Sequence, residues 1–156
     1  MYWLELRIPP VILLALCAIF MWITALFYPS LTVNPNYSHA VILLSLLLLM
    51  LGSGFVLLAI FWFYRAGTTV NPLRPEQTTS LVVTGVYSYS RNPVYLGLAM
   101  ILLSWAIYLS NMLSLLFVIV FILAMNRFQI EPEEKILYKL FGDQYKQYQN
   151  KVRRWI

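Results

Sequence analysis

Apolar runs long enough to cross a membrane alternate with short polar connections along this chain. The first run, 11–28, holds 18 residues and as a helix would rise about 27 Å, near the thickness of a bilayer's hydrocarbon core. It is longer than the apolar stretch of a signal peptide and no small-residue cleavage site follows it, so it reads as a retained span. Pro29, Asn34, Pro35 and Asn36 mark the next connection. The second run, 40–64, spans with some tilt, and its Gly52-Ser53-Gly54 suits close approach of another helix. A polar stretch, 65–92, follows. Val94 to Met125 is apolar again, broken only by Ser110-Asn111. Unbroken, it would rise about 48 Å, so the pattern predicts two helices, 94–109 and 112–129, with a turn between them.

The C-terminal part has another period. Leu137, Leu140, Phe141, Tyr145, Tyr148 and Val152 recur at spacings of three and four with lysines opposite, predicting an amphipathic helix over 131–152. Gly142 is a candidate interruption. Trp155 and Ile156 suit an interfacial foot, and the helix would lie on the membrane or cover the middle loop. The expected architecture is all-α: a single polytopic membrane helix bundle over 1–156, with four hydrophobic helices in two hairpins plus the amphipathic helix.

Composition narrows the class. The chain is 61% hydrophobic and 11% charged, whereas a soluble domain carries about 25% charged residues. Cys17 is the only cysteine and His39 the only histidine, so neither a disulfide framework nor a zinc site is expected, and no metal. The net charge of +5 sits beside hydrophobic segments, which favours anionic lipid headgroups over nucleic acid. The 29–39 connection and the Ser110-Asn111 turn carry no Lys or Arg. With four spans, all eleven basic residues fall on one side, which the positive-inside rule makes cytoplasmic, together with both termini. The first three segments carry no internal charge and no repeat relates the halves, which argues against a transporter.

Two polar segments flank the last hydrophobic pair: Thr84 to Gly97, and Asn126 to Glu134. A turn at Ser110-Asn111 brings them together. Each has a plain structural explanation. Asn92-Pro93 suits a helix start, and Glu131-Pro132-Glu133-Glu134 suits a cap, a proline and first-turn acids. Arg91 and Arg127 suit interfacial anchoring, and the tyrosines an aromatic belt. Ionisable groups close to membrane depth also mark a functional site, but local physics alone favours the structural reading of both segments.

The order of these pieces resembles a known family. Gly67-Thr68-Thr69-Val70-Asn71-Pro72, Arg74-Pro75 and Leu81-Val82-Val83-Thr84-Gly85 lead into Arg91-Asn92-Pro93-Val94-Tyr95-Leu96-Gly97. After a hydrophobic hairpin come Glu133-Glu134, Leu137, Phe141-Gly142, Tyr145, Tyr148 and Val152-Arg153-Arg154. This pattern resembles the isoprenylcysteine carboxyl methyltransferases and their bacterial relatives, a group related to phospholipid N-methyltransferases. It covers the chain from Gly67 onward.

The resemblance implies S-adenosylmethionine as methyl donor, a lipid or lipidated acceptor, and residence in a bacterial cytoplasmic membrane. It places Arg91, Asn92, Pro93, Tyr95, Gly97, Glu133 and Glu134 at the cofactor; physical fit adds Gly85 and Tyr87 there, and Arg91, Arg127 and Glu134 are the candidate catalytic residues. Asn92 stands where many members carry histidine, and an amide cannot titrate near neutral pH. Within that framework Glu134 would accept from ribose or amino groups, and Arg91 or Arg127 would pair with a carboxylate. Tyr87, Tyr89 or Tyr95 would face the sulfonium. Carboxylate O-methylation is the first expectation. Methylation of a phospholipid or small amphiphile on nitrogen, and a non-catalytic scaffold of the same fold, are the alternatives.

Overall fold

The computed structural model describes residues 5–32, 38–67, 76 and 78–156. Six α-helices carry the fold: α1 (Pro10–Phe27), α2 (His39–Arg65), α3 (Pro93–Leu109), α4 (Met112–Met125), α5 (Glu131–Phe141) and α6 (Asp143–Lys151). Among the described residues there is no β-strand, only an isolated bridge between Thr32 and Asn111. Asn34, Pro35 and Asn36 lie outside the described residues, as do Thr68 to Pro75 with Arg74.

Among the described residues, three helices are long and apolar enough to cross a membrane: α1, α2 and a continuous helix from Met112 to Phe141. The third arises because α4 does not stop where the apolar run does. It passes through a π-helical turn, Asn126–Ile130, straight into α5. Glu131 therefore starts no new helix, and the expected separate amphipathic helix is replaced by a continuation that breaks at Gly142 (φ 51°) before α6. The cause of the π turn is Pro132. Proline lacks the N–H that the Phe128 carbonyl would accept, and its ring crowds that carbonyl. The Leu6 amide donates to the Phe128 oxygen instead, at 3.0 Å.

α3 is the central helix. It buries Tyr95, Leu98, Ala99, Leu102 and Ala106 among others, while α1, α2 and α4 turn large apolar side chains such as Phe27, Leu43, Met50 and Leu123 outward. Bilayer hydrocarbon solvates such faces; water would not. The second expected hairpin, α3 with α4, is present, whereas α1 and α2 pack mainly on other helices. α2 lies along α3, and α1 packs on α4 and α3. Between α1 and α2 a cleft of 290 Å³ opens over Ile101, Leu102 and Trp105. The α2–α3 contact is set by Gly52 and Gly97, where the backbones touch. α1 is pinned to α3 by Trp105 Nε1, which donates to the Ala18 carbonyl at 3.1 Å.

The two ends differ. At one, Ser110 closes α3 in the left-handed region (φ 51°). Asn111 caps α4, its Oδ1 accepting from Leu113 N, and its Nδ2 donates to the Tyr28 carbonyl at 3.1 Å. At the other, the N-terminal segment is strapped to the π turn. Gln129 Nε2 donates to Ile8 O at 2.6 Å, and Arg127 pairs with Glu5 at 2.7 Å. These contacts hold Leu6 in the left-handed region (φ 58°), which costs a non-glycine residue about 1–3 kcal/mol.

Candidate active site

The site is built at the end where the segment from Glu5 to Pro9 is strapped to the π turn. Gly85 (φ 63°) lies under the Trp62 ring, where a Cβ would come within 2.0 Å of indole atoms. The tight turn it opens, Gly85–Ser88, directs Tyr87 inward against Phe63, with ring centroids 5.1 Å apart. Tyr148 of α6 locks the turn by donating its hydroxyl to the Tyr87 carbonyl at 2.7 Å. α6 thus covers the loop.

The chain then crosses to α3. Pro93 occupies the first turn of α3, but Asn92 makes no side-chain cap there. Its Nδ2 instead donates to the Arg154 carbonyl at 2.9 Å. Beside it, Arg91 N donates to Arg153 O at 3.0 Å, and Ser90 Oγ to Arg154 O at 3.5 Å. The C-terminal segment is therefore cross-linked to the start of α3. Trp155 is part of this seam. Its Nε1 donates to Asn126 Oδ1 at 3.1 Å and its ring packs on the core, so the expected interfacial foot is a structural plug.

These elements enclose a cavity of 270 Å³, close to the lower limit of about 300 Å³ for small-molecule sites. One wall is polar: Tyr87, Arg91, Asn92, Tyr95, Glu133, Glu134, Tyr145 and Tyr148. The other is apolar, from Val56, Ile60 and Phe63 of α2, Val94 and Leu98 of α3, and Pro10 and Val11 at the head of α1. Tyr95 donates its hydroxyl to Glu133. Glu134 takes two cations. Arg154 grips it as a fork, Nε to Oε1 at 3.2 Å and Nη2 to Oε2 at 2.7 Å, while Arg91 Nη2 reaches Oε1 at 3.2 Å. Arg91 Nε and Nη1 are buried with no protein partner.

Burial sets the protonation of the phenols. It pushes Tyr145 up to about 12 and is likewise the main cause of the upward shifts of Tyr87 and Tyr148. All three stay neutral donors at physiological pH. The hydrogen bonds from Arg154 to Glu134 are the main cause that raises the Arg154 guanidinium above its ordinary value.

Seven of the residues expected at the cofactor meet in this cavity: Tyr87, Arg91, Asn92, Pro93, Tyr95, Glu133 and Glu134. Gly85 and Gly97 do not line it; one accommodates Trp62 and the other the α2 backbone. Arg127 does not line it either, and pairs with Glu5 and Glu131 at the N-terminal strap. Exposed Tyr89 is also outside. Sequence pattern does not single out Arg154 as a site residue, because a cation at the end of a basic amphipathic segment looks like any lipid-facing charge. Tyr145 and Tyr148 read as members of an apolar stripe. Their shared spacing of three with an arginine pair beyond was the available signal.

A helical membrane bundle with a polar, charge-lined cavity open to an apolar wall defines the class. The sequence model of the family described as phospholipid methyltransferase matches residues 40–144, which is 105 of the 156 residues, and the chain belongs to that family. The protein-S-isoprenylcysteine O-methyltransferase of Saccharomyces cerevisiae is 40% identical over 82 residues, 51% of this chain and 33% of the yeast protein. The protein of the same name in Schizosaccharomyces pombe is 39% identical over 75 residues, 46% of this chain and 30% of its own length. This chain thus spans about a third of those two proteins. An uncharacterized protein of Haemophilus influenzae is 52% identical over 63 residues, covering 40% of this chain and all of that protein.

Proposed function

We propose that this protein is a membrane methyltransferase that uses S-adenosylmethionine and acts on a lipid-like or lipidated acceptor at a carboxylate. The observation that carries this is the joining of two surfaces in one cavity. Arg91 offers unpartnered donors beside two carboxylates and four phenols, and the opposite wall is hydrocarbon.

The cavity's residues suit the donor. The two unpartnered nitrogens of Arg91 suit a carboxylate, the Glu133 and Glu134 side chains suit hydroxyl, amino and sulfonium groups, and the tyrosine rings suit a cation. When bound, the cofactor supplies a methyl carbon on a positively charged sulfur, a leaving group that needs no acid. The protein's share is then orientation and exclusion of water, which together are worth about 7–11 kcal/mol when geometry is ideal. Arg91 orients an anionic group, Tyr95 holds Glu133, and Val56, Ile60, Phe63 and Leu98 keep water from the reacting oxygen while seating an acceptor's tail. A carboxylate acceptor is already ionised at neutral pH, so no general base is required, in keeping with an amide at Asn92.

A second acceptor class has a specific observation behind it. The family description is phospholipid methyltransferase, and a buried acid such as Glu133 suits an ammonium headgroup. The site faces the cytoplasm in our proposal, with both termini on that side. Ten of the eleven basic residues lie in described segments on the cavity's side of the bundle, and Ser110-Asn111 at the other end carries none. In a bacterium this is the inner membrane.

Titration of the detergent-purified chain with S-adenosylhomocysteine tests the donor. Saturable binding weakened by Arg91→Ala or Glu134→Gln is expected, and a flat titration of folded protein supports the scaffold instead. Labelled methyl donor with membrane extract tests the acceptor. Base-labile label marks an ester; base-stable label marks an N-methyl product and overturns the carboxylate.

A further inference from the structure

Arg154 touches the cavity only through Glu134, and that contact determines what Arg91 has left to offer. A carboxylate can receive a guanidinium as a fork over both oxygens or as a single contact. At Glu134 the fork belongs to Arg154, with Nε and Nη2 on the two oxygens at 3.2 and 2.7 Å. Arg91 is left with one contact to that carboxylate, Nη2 to Oε1 at 3.2 Å, beside a side-chain hydrogen bond with Tyr145. Its Nε and Nη1 are consequently buried without a partner, on a side chain only 12% exposed. Uncompensated buried donors on a charged group are costly, so their retention needs a reason.

We propose that Arg154 is a positioning residue: by occupying Glu134 as a fork it keeps Arg91 from doing so, and so leaves two Arg91 donors for the carboxylate of a ligand. This rests on the methyltransferase proposal above. Without the Arg154 side chain, both oxygens of Glu134 become available, and Arg91 turns to take them, withdrawing its donors. The pairing of the two segments does not depend on that side chain. Asn92 and Ser90 bond the Arg154 carbonyl and Arg91 N bonds the Arg153 carbonyl, all main-chain acceptors that survive substitution. Arg154→Gln should therefore fold and keep the C-terminal segment in place.

The carboxylate belongs to the amino-acid tail of the donor or to the acceptor, and two arms separate these. In the first, calorimetry on the full chain in detergent measures S-adenosylhomocysteine and its analogue without the amino-acid carboxylate. In the second, methyl transfer to a farnesylated cysteine with a free carboxylate measures KM and kcat. If the donor's carboxylate is held, Arg154→Gln weakens S-adenosylhomocysteine about tenfold, about 1.4 kcal/mol, and leaves the analogue unchanged. If the acceptor's is held, KM for the acceptor rises about tenfold with kcat little changed.

Either effect must shrink to within about twofold when Arg154→Gln is made on Glu134→Gln, because Arg154 then has no fork to occupy. An equal loss in both backgrounds overturns the proposal, and so does an unchanged value in both arms. Should Arg154→Gln fail to fold, Arg154→Lys carries the same cycle, since a lysine makes one contact where the guanidinium makes two. A purely structural role lowers the melting temperature and the active fraction without moving the affinity of the folded protein. If the unsubstituted chain binds no S-adenosylhomocysteine and transfers no methyl group, the methyltransferase proposal itself fails and this inference falls with it. Binding or turnover by the unsubstituted chain with no coupling between Arg154 and Glu134 sinks this inference alone.

Discussion

Gly52 and Gly97 meet backbone against backbone where α2 crosses α3. A Cβ on Gly97 would sit 2.5 Å from the Gly52 carbonyl oxygen, and one on Gly52 2.7 Å from the Gly97 oxygen. Neither oxygen belongs to a side chain that can swing aside, so a methyl group must part the helices. Gly97→Ala and Gly52→Ala should each destabilise the bundle by about 1–3 kcal/mol. Gly54→Ala, with nothing within 4 Å, should be neutral. Thermal melting in one detergent compares the three. Equal behaviour of Gly97→Ala and Gly54→Ala would count against this crossing.

Tyr95 and Arg127 should separate in assay although both neighbour the same polar region. Tyr95→Phe removes the hydroxyl that Glu133 accepts in the cavity; leaving a buried acceptor without its donor costs about 1–3 kcal/mol, or roughly 5–150-fold in transfer rate. Arg127 is 41% exposed and pairs with Glu5 away from the cavity. Arg127→Ala should leave S-adenosylhomocysteine affinity within about twofold and cost about 0–1 kcal/mol of stability. A large loss of affinity in Arg127→Ala would restore it as a site residue.

The buried tyrosines give the fold an alkaline limit. The Tyr145 phenol is raised from 10.0 to about 12, chiefly by burial, so the folded state holds its proton more tightly than the unfolded state does. Its contribution is complete below pH 10 and is lost as pH rises through 12, with a slope of about 1.4 kcal/mol per pH unit for one group. Stability measured by denaturant should fall above pH 10, and Tyr145→Phe should flatten that fall. An unaltered slope in the variant would assign it to other groups.

Orientation is testable at the turn between α3 and α4. Asn111 itself is 2% exposed, with its side chain bonded to Tyr28, whereas Met112 is 62% exposed. A cysteine at Met112 in a Cys17→Ser background should react with an impermeant thiol reagent from outside intact cells. Labelling only after lysis would reverse the proposed topology.

Much of the architecture was legible because a bilayer makes local demands. Every backbone group in hydrocarbon needs a partner within its own helix, so an apolar run of sufficient length states its own structure. Ser110-Asn111 was readable as a turn for the related reason that polar residues there can cap and close. The Arg91 to Tyr95 segment and the Glu133-Glu134 pair were legible as a pattern of residue types.

Other features were hidden by dependence on distant residues. Pro132 looks like a helix start, and it is a helix interior only because the N-terminal segment takes the carbonyl that proline leaves free. Gly97 looks like a close approach to a ligand; its neighbour is Gly52, which no spacing along the chain predicts. Arg154 looks like a surface cation, and comes to grip Glu134 at the cavity because two segments 62 residues apart share hydrogen bonds.

The sequence by itself determined that this chain lives in a membrane, which segments are apolar, and which residue types are available to a site. Those properties follow from transfer of each segment out of water and need no partner. Only the tertiary structure decided which helix lies against which, that α4 runs on into α5, and which arginine grips Glu134. Hydrocarbon exerts no preference among apolar faces, so helix pairing rests on close fits such as Gly52 on Gly97, and a carboxylate's choice between two guanidiniums rests on distance alone.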